Sequence, residues 1–163
     1  MQIEQRLWTS LQGWQPSDHS ELADRAQLVF IFGATQVLAN NGHFQEVRNR
    51  YPNAHLCGCS TAGEIFGTRV LDDSLVVTAV HFEKTHLQAA AVSISETAGS
   101  FDAGQRLAKA LDHHGLAHVF VISDGLKVNG SELTAGMAAA LPRNVSVTGG
   151  LSGDGSRFAQ TLV

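Results

Sequence analysis

Ala54-His55-Leu56-Cys57-Gly58-Cys59-Ser60-Thr61-Ala62-Gly63-Glu64-Ile65 is the stretch on which the fold turns. Ala54 to Cys59 reads as a strand, entered after the stop Tyr51-Pro52-Asn53. Ser60 to Ile65 reads as a turn rich in hydroxyls and glycine. Upstream, Leu28 to Phe32 is a continuous apolar run closed by Gly33, the pattern of a strand buried on both faces. Between the two, Thr35 can open a helix that carries Val37, Leu38, Phe44 and Val47 towards Arg50, with an interruption at Asn40-Asn41-Gly42. Strands joined through a helix favour a parallel pair.

Further along, Leu75 to Phe82 and Leu87 to Ile94 read as two strands. Only Glu83-Lys84-Thr85-His86 separates them, which favours an antiparallel hairpin. Ala98 to His114 reads as a helix with Phe101, Leu107 and Leu111 near one stripe and Gly115 as its stop. Val119 to Ile122 is a strand ending at Ser123-Asp124-Gly125. Ser131-Glu132-Leu133 opens a helix that Pro142 ends. Val145 to Val147 is a short strand running into Thr148-Gly149-Gly150-Leu151-Ser152-Gly153-Asp154-Gly155, and Phe158 to Val163 reads as the start of one more.

The expected fold class is therefore α/β: a mixed, largely parallel sheet flanked by helices, with an antiparallel hairpin in the middle. Residues 1–26 are expected to form an N-terminal arm or short helical segment, because Trp8, Leu11 and Trp14 recur every three residues before Pro16-Ser17-Asp18 breaks the pattern. Residues 27–163 form the α/β domain. The chain stops at Val163 in mid-pattern, as a piece of a longer parent does.

Composition narrows the function classes. Hydrophobic residues make up 44% and charged residues 16%, which excludes disorder. A net charge of −4 argues against a nucleic-acid partner. No apolar run approaches the ~20 residues a bilayer span needs, and the N-terminus lacks the pattern of a secretion signal. Cys57 and Cys59 point to opposite faces of an extended chain, which disfavours a mutual disulfide and fits reduced thiols in the cytoplasm.

Three stretches, in order and each after a strand, carry a family resemblance: Gly58-Cys59-Ser60-Thr61-Ala62-Gly63-Glu64-Ile65, Ser123-Asp124-Gly125-Leu126 with Asn129, and Gly149-Gly150-Leu151-Ser152-Gly153-Asp154-Gly155 with Phe158 and Thr161. Together they resemble the N-terminal part of a FIST domain, over roughly Gln27 to Val163. The resemblance implies a bacterial sensory module acting upstream of signalling proteins such as a histidine kinase, a diguanylate cyclase or a chemotaxis receptor. It implies a small ligand, amino acids among the candidates, and one branch of the family resembles haem-containing nitric-oxide sensors.

The residues themselves give the chemistry. Loops at the ends of strands in α/β sheets leave a crevice for ligands. Ser60 and Thr61 offer hydroxyls, backbone N–H groups beside Gly63 and Gly150 can hold an anion, and Glu64 can recognise an amine. Ser152, Asp154 and Asp124 complete the expected ligand set. Asp154 opposes phosphate and favours an amine or a metal. The bland reading of each is a tight turn or a turn cap. Haem would need an axial imidazole beside an apolar slot, and His81, late in an apolar strand, is the first candidate, followed by His43 and His55. Cys57-x-Cys59 has no second ligand pair at zinc spacing. A cysteine-dependent hydrolase-like enzyme would use Cys59, yet no spacing nominates its base and Gly58-Cys59-Ser60 is not a G-x-S-x-G elbow. A non-enzymatic sensor is the expectation, with a homodimer supported by apolar surface around Trp8 and Trp14.

Overall fold

The computed structural model of the chain describes residues 1–17 and 20–163. These residues divide into two units, Met1–Leu87 with Ser152–Val163, and Gln88–Leu151.

The first unit is built on a five-stranded sheet in the order β2-β1-β7-β3-β4. The strands are β1 (Gln2–Thr9), β2 (Gly13–Gln15), β3 (Leu28–Ala34), β4 (His55–Thr61) and β7 (Ser74–His81). Leu75-Val76-Val77-Thr78-Ala79-Val80 makes β7 the central strand, and nearly every residue in it is buried. It runs antiparallel to β1 and to β3. β3 and β4 are parallel, with Ala34 opposite Thr61 at their C-terminal ends. α1 (Thr35–Leu38) and α2 (Asn41–Arg50) make the crossover between them. The interruption at Asn40 is a helix cap: its side chain accepts the Gly42 N–H at 3.0 Å. The core on this side gathers Val29, Ile31, Val47, Tyr51, Leu75 and Val77.

The second unit holds α3 (Ser100–Lys109), β8 (His118–Ser123), α4 (Gly130–Ala140) and β9 (Ser146–Leu151). β8 and β9 form a parallel pair. Asn129 caps α4 by accepting the N–H groups of Ser131 and Glu132. α3 and α4 touch backbone to backbone. A Cβ on Gly104 would lie 2.1 Å from the Leu133 carbonyl oxygen, and one on Gly136 would lie 2.1 Å from that of Phe101.

The mixed α/β class expected from the sequence is the class observed. Its parallel pairs are β3–β4 and β8–β9, and its mid-chain hairpin is β5 (Glu64–Phe66) with β6 (Arg69–Leu71). Four local expectations are corrected. The N-terminal segment is a β-hairpin, with Trp8 opposite Trp14, and not a helix. Its Arg6 is fully buried because Glu4 pairs with it, and that carboxylate also accepts from Tyr51 and Ser20. Burial alone would raise the Glu4 carboxyl, but these donors outweigh it and hold the group below its usual range. Residues 87–94 form no strand pairing with β7, whose two edges are already taken by β1 and β3. The helix after Ala98 stops at Lys109, well before Gly115. Residues 158–163 form no strand.

Candidate functional site

The parallel pair β3–β4 sets the site in the first unit. Thr35 follows the end of β3, and Ser60 and Thr61 end β4. The close approach of the two strands depends on Gly58, where a Cβ would sit 1.9 Å from the Ile31 carbonyl oxygen. The Ser152–Val163 segment returns to this end of the sheet. Gly153 N–H donates to the Ser60 carbonyl at 2.8 Å, and the Ser60 hydroxyl donates to the Gly153 carbonyl at 2.7 Å. Ser60 also exchanges two bonds with Leu162: its own N–H donates to the Leu162 carbonyl at 3.0 Å, and the Leu162 N–H donates to its Oγ at 2.9 Å.

Asp154 anchors the same segment. Its Oδ1 accepts from Thr35 Oγ1 at 2.7 Å and from Arg157 Nε and Nη2 at 3.0 and 2.7 Å. Its Oδ2 accepts the N–H groups of Ala159 and Gln160. The Arg157 guanidinium first, then the Thr35 hydroxyl and the two amides, hold this carboxyl well below the usual range.

Glu64 is buried at the start of β5 and tied on both oxygens. Thr61 Oγ1 donates to Oε1 at 2.6 Å, while Ser74 donates to Oε2 through Oγ at 2.7 Å and N–H at 3.2 Å. Gly63 makes the turn between Thr61 and Glu64 with φ +158°. The first glycine motif thus meets the Gly153-Asp154 end of the third, from chain positions far apart. Ser152 is buried just before Gly153.

Asp124 and Gly150 belong to the second unit, at the C-terminal ends of β8 and β9. Gly150 is opposite Ile122. Asp124 Oδ1 accepts the N–H groups of Leu126 and Lys127 at 2.8 and 2.9 Å, an Asx turn. This pair repeats the glycine device of the other: a Cβ on Gly149 would lie 1.7 Å from the Val121 carbonyl oxygen.

Sequence reasoning missed Thr35, Ser74 and Arg157 as members of the first cluster. Arg157 had a usable signal, since Asp154 and Arg157 stand at i, i+3. Thr35 is the first residue of α1, whose N-cap is Ala34, and the Thr35 hydroxyl goes to Asp154.

His81 ends β7 with Nδ1 2.8 Å from the Arg25 carbonyl oxygen. Two grooves open on this unit, one lined by Gln12, Trp14, Gln15, Pro16, Ser17 and Phe66, the other by Gln2, Ile3, Glu4, Glu21, Leu22 and Arg25. The lining of neither groove includes His81, His43 or His55. Among the described residues no group of three or more His, Cys, Asp and Glu side chains could hold a metal ion. Burial, with a smaller contribution from the neighbouring Cys57 thiol, pushes the Cys59 thiol up to about 11. No helix among the described residues is long and apolar enough to cross a membrane.

The FIST N domain family matches residues 27–163. No curated protein and no solved structure matches the chain.

Proposed function

The chain belongs to the FIST N domain family, and from that premise we propose that it is a sensory module whose small polar ligand binds where the Ser152–Leu162 segment meets the C-terminal ends of β3 and β4. FIST domains are sensory domains of signalling proteins. The observation that supports this location is the convergence of Ser60, Thr61 and Glu64 with Ser152 and Asp154 at the end of a parallel strand pair.

Side-chain oxygens in this cluster are engaged within the chain. A ligand therefore acts by exchange: an amine takes Asp154 from Arg157, or a carboxylate takes Arg157 from Asp154. Either exchange loosens residues 157–160 from the sheet end and gives a second packing for a partner such as a histidine kinase or a diguanylate cyclase to read. A ligand that treats both packings alike shifts nothing. In this reading the ligand is held by residues of the first unit, and the chain acts without catalysis of its own. The raised Cys59 thiol supports that last point, since the thiolate is the nucleophile.

Isothermal calorimetry of the full chain against amino acids and organic acids tests the proposal. An amine whose binding is lost in Asp154→Asn, or an acid whose binding is lost in Arg157→Ala, supports it, and the absence of any ligand below millimolar sinks it. Absorption spectra of the same preparation are the second check. Colourless protein that ignores haemin leaves the small-ligand reading in place. A Soret band that moves with nitric oxide replaces it.

A further inference from the structure

His43 Nδ1 is a buried side-chain nitrogen without a hydrogen-bond partner, and the residue is 8% exposed. It occupies the first turn of α2, and its ring lies tilted over the Trp8 indole with centroids 4.1 Å apart. One turn further on, Glu46 places Oε2 at 3.6 Å from Nδ1, outside hydrogen-bond reach. That same oxygen accepts the Trp14 indole N–H at 2.6 Å. Trp8 and Trp14 face each other across β1 and β2. One carboxylate oxygen thus stands between an imidazole on the helix and an indole on the hairpin. Among the described residues Glu46 is the acid paired with the ring, and Trp8 is the hairpin residue against it.

We propose that His43 is a proton-operated release for the N-terminal hairpin. A proton on the imidazole turns Nδ1 into a charged donor. A charge-assisted bond to a carboxylate is about twice as strong as one from a neutral donor. Glu46 therefore moves to His43 and gives up the Trp14 indole. Neutral His43 makes no such demand, and Glu46 stays with Trp14, tying β2 to α2. The device does not depend on which ligand the domain senses.

The chain has two tryptophans, so its ¹H–¹⁵N spectrum carries two indole signals. Trp8→Phe and Trp14→Phe assign them. The full chain is titrated from about pH 8 to about pH 5, where imidazoles change charge. The Trp14 signal is expected to shift on acidification and to exchange faster with solvent. It is expected to stay fixed in His43→Phe, which keeps an aromatic ring against Trp8 but has no proton to take, and in Glu46→Gln. His43→Gln gives the same readout if the phenylalanine variant does not fold. A Trp14 signal that stays still in the unaltered chain, or that moves equally without His43, overturns the proposal.

Discussion

Ser60 and Gly153 hold each other by two reciprocal hydrogen bonds, Gly153 N–H to the Ser60 carbonyl and Ser60 hydroxyl to the Gly153 carbonyl, across a separation of 93 residues. One of the pair ends a strand of the sheet; the other begins the returning segment. The bonds join two glycine motifs that are distant in the chain, and they put a hydroxyl with no solvent exposure at the junction.

Ser60→Ala removes that hydroxyl and leaves the Gly153 carbonyl and the Leu162 N–H each short of a partner. Unsatisfied buried groups cost roughly 1–3 kcal/mol. The variant is expected to unfold at lower denaturant by that amount, and its Leu162 amide to lose hydrogen-exchange protection. Unchanged protection at Leu162 would show that this bond does not hold the segment.

Asp154→Asn tests the carboxylate by its pH dependence. The folded carboxyl titrates well below its unfolded value, so its contribution is present above about pH 4 and fades as the pH falls through the folded value. The unaltered chain is expected to melt above the variant at neutral pH by a constant margin. That margin should narrow only in strong acid. A difference in melting temperature that does not change down to the lowest pH would assign the effect to shape and not to charge.

Gly58→Ala places a methyl against the backbone of Ile31 at 1.9 Å, a contact no side-chain rotation relieves. A loss of about 3 kcal/mol or more is expected, at the top of the range for overpacking. Circular dichroism against urea reads it, and a neutral result would mean that β4 can shift along β3 without penalty.

Cys59 is expected to resist alkylation near neutral pH, since burial keeps its thiol protonated up to about 11. Mass spectrometry after iodoacetamide should find Cys59 modified far more slowly than in the denaturant-unfolded chain. Rapid labelling of the folded chain would reopen a nucleophilic role.

How much of this was legible beforehand depends on the kind of signal. Leu28 to Phe32 and Ala54 to Cys59 announce strands because their apolar runs end in glycine or hydroxyl residues, and both are present as β3 and β4. The family resemblance was legible from short motifs placed after strands. The N-terminal hairpin was not. A three-residue recurrence of Trp8, Leu11 and Trp14 imitates a helix, and the inward residues of β1 include Arg6, whose burial depends on a partner at Glu4 that no periodicity reveals. The strand expected at 87–94 failed for a different reason. Its residues suit a strand, but pairing needs a free edge, and the edges of β7 were claimed by segments distant in sequence. At the site, Ser60 and Asp154 were visible as residues, but their mutual arrangement with Thr35 was not, since it arises from a returning segment without regular structure.

The first unit is assembled from two stretches of chain with Gln88–Leu151 interposed between them. On a ribosome, β1 to β7 emerge early and can pair at once, yet the groups that satisfy Ser60 and Thr35 are still being translated. Until Leu162 has been made, the end of β4 carries open donors and acceptors. Nascent protein of this kind is most vulnerable to wrong partners there, late in its synthesis and at the very place where its ligand is proposed to act.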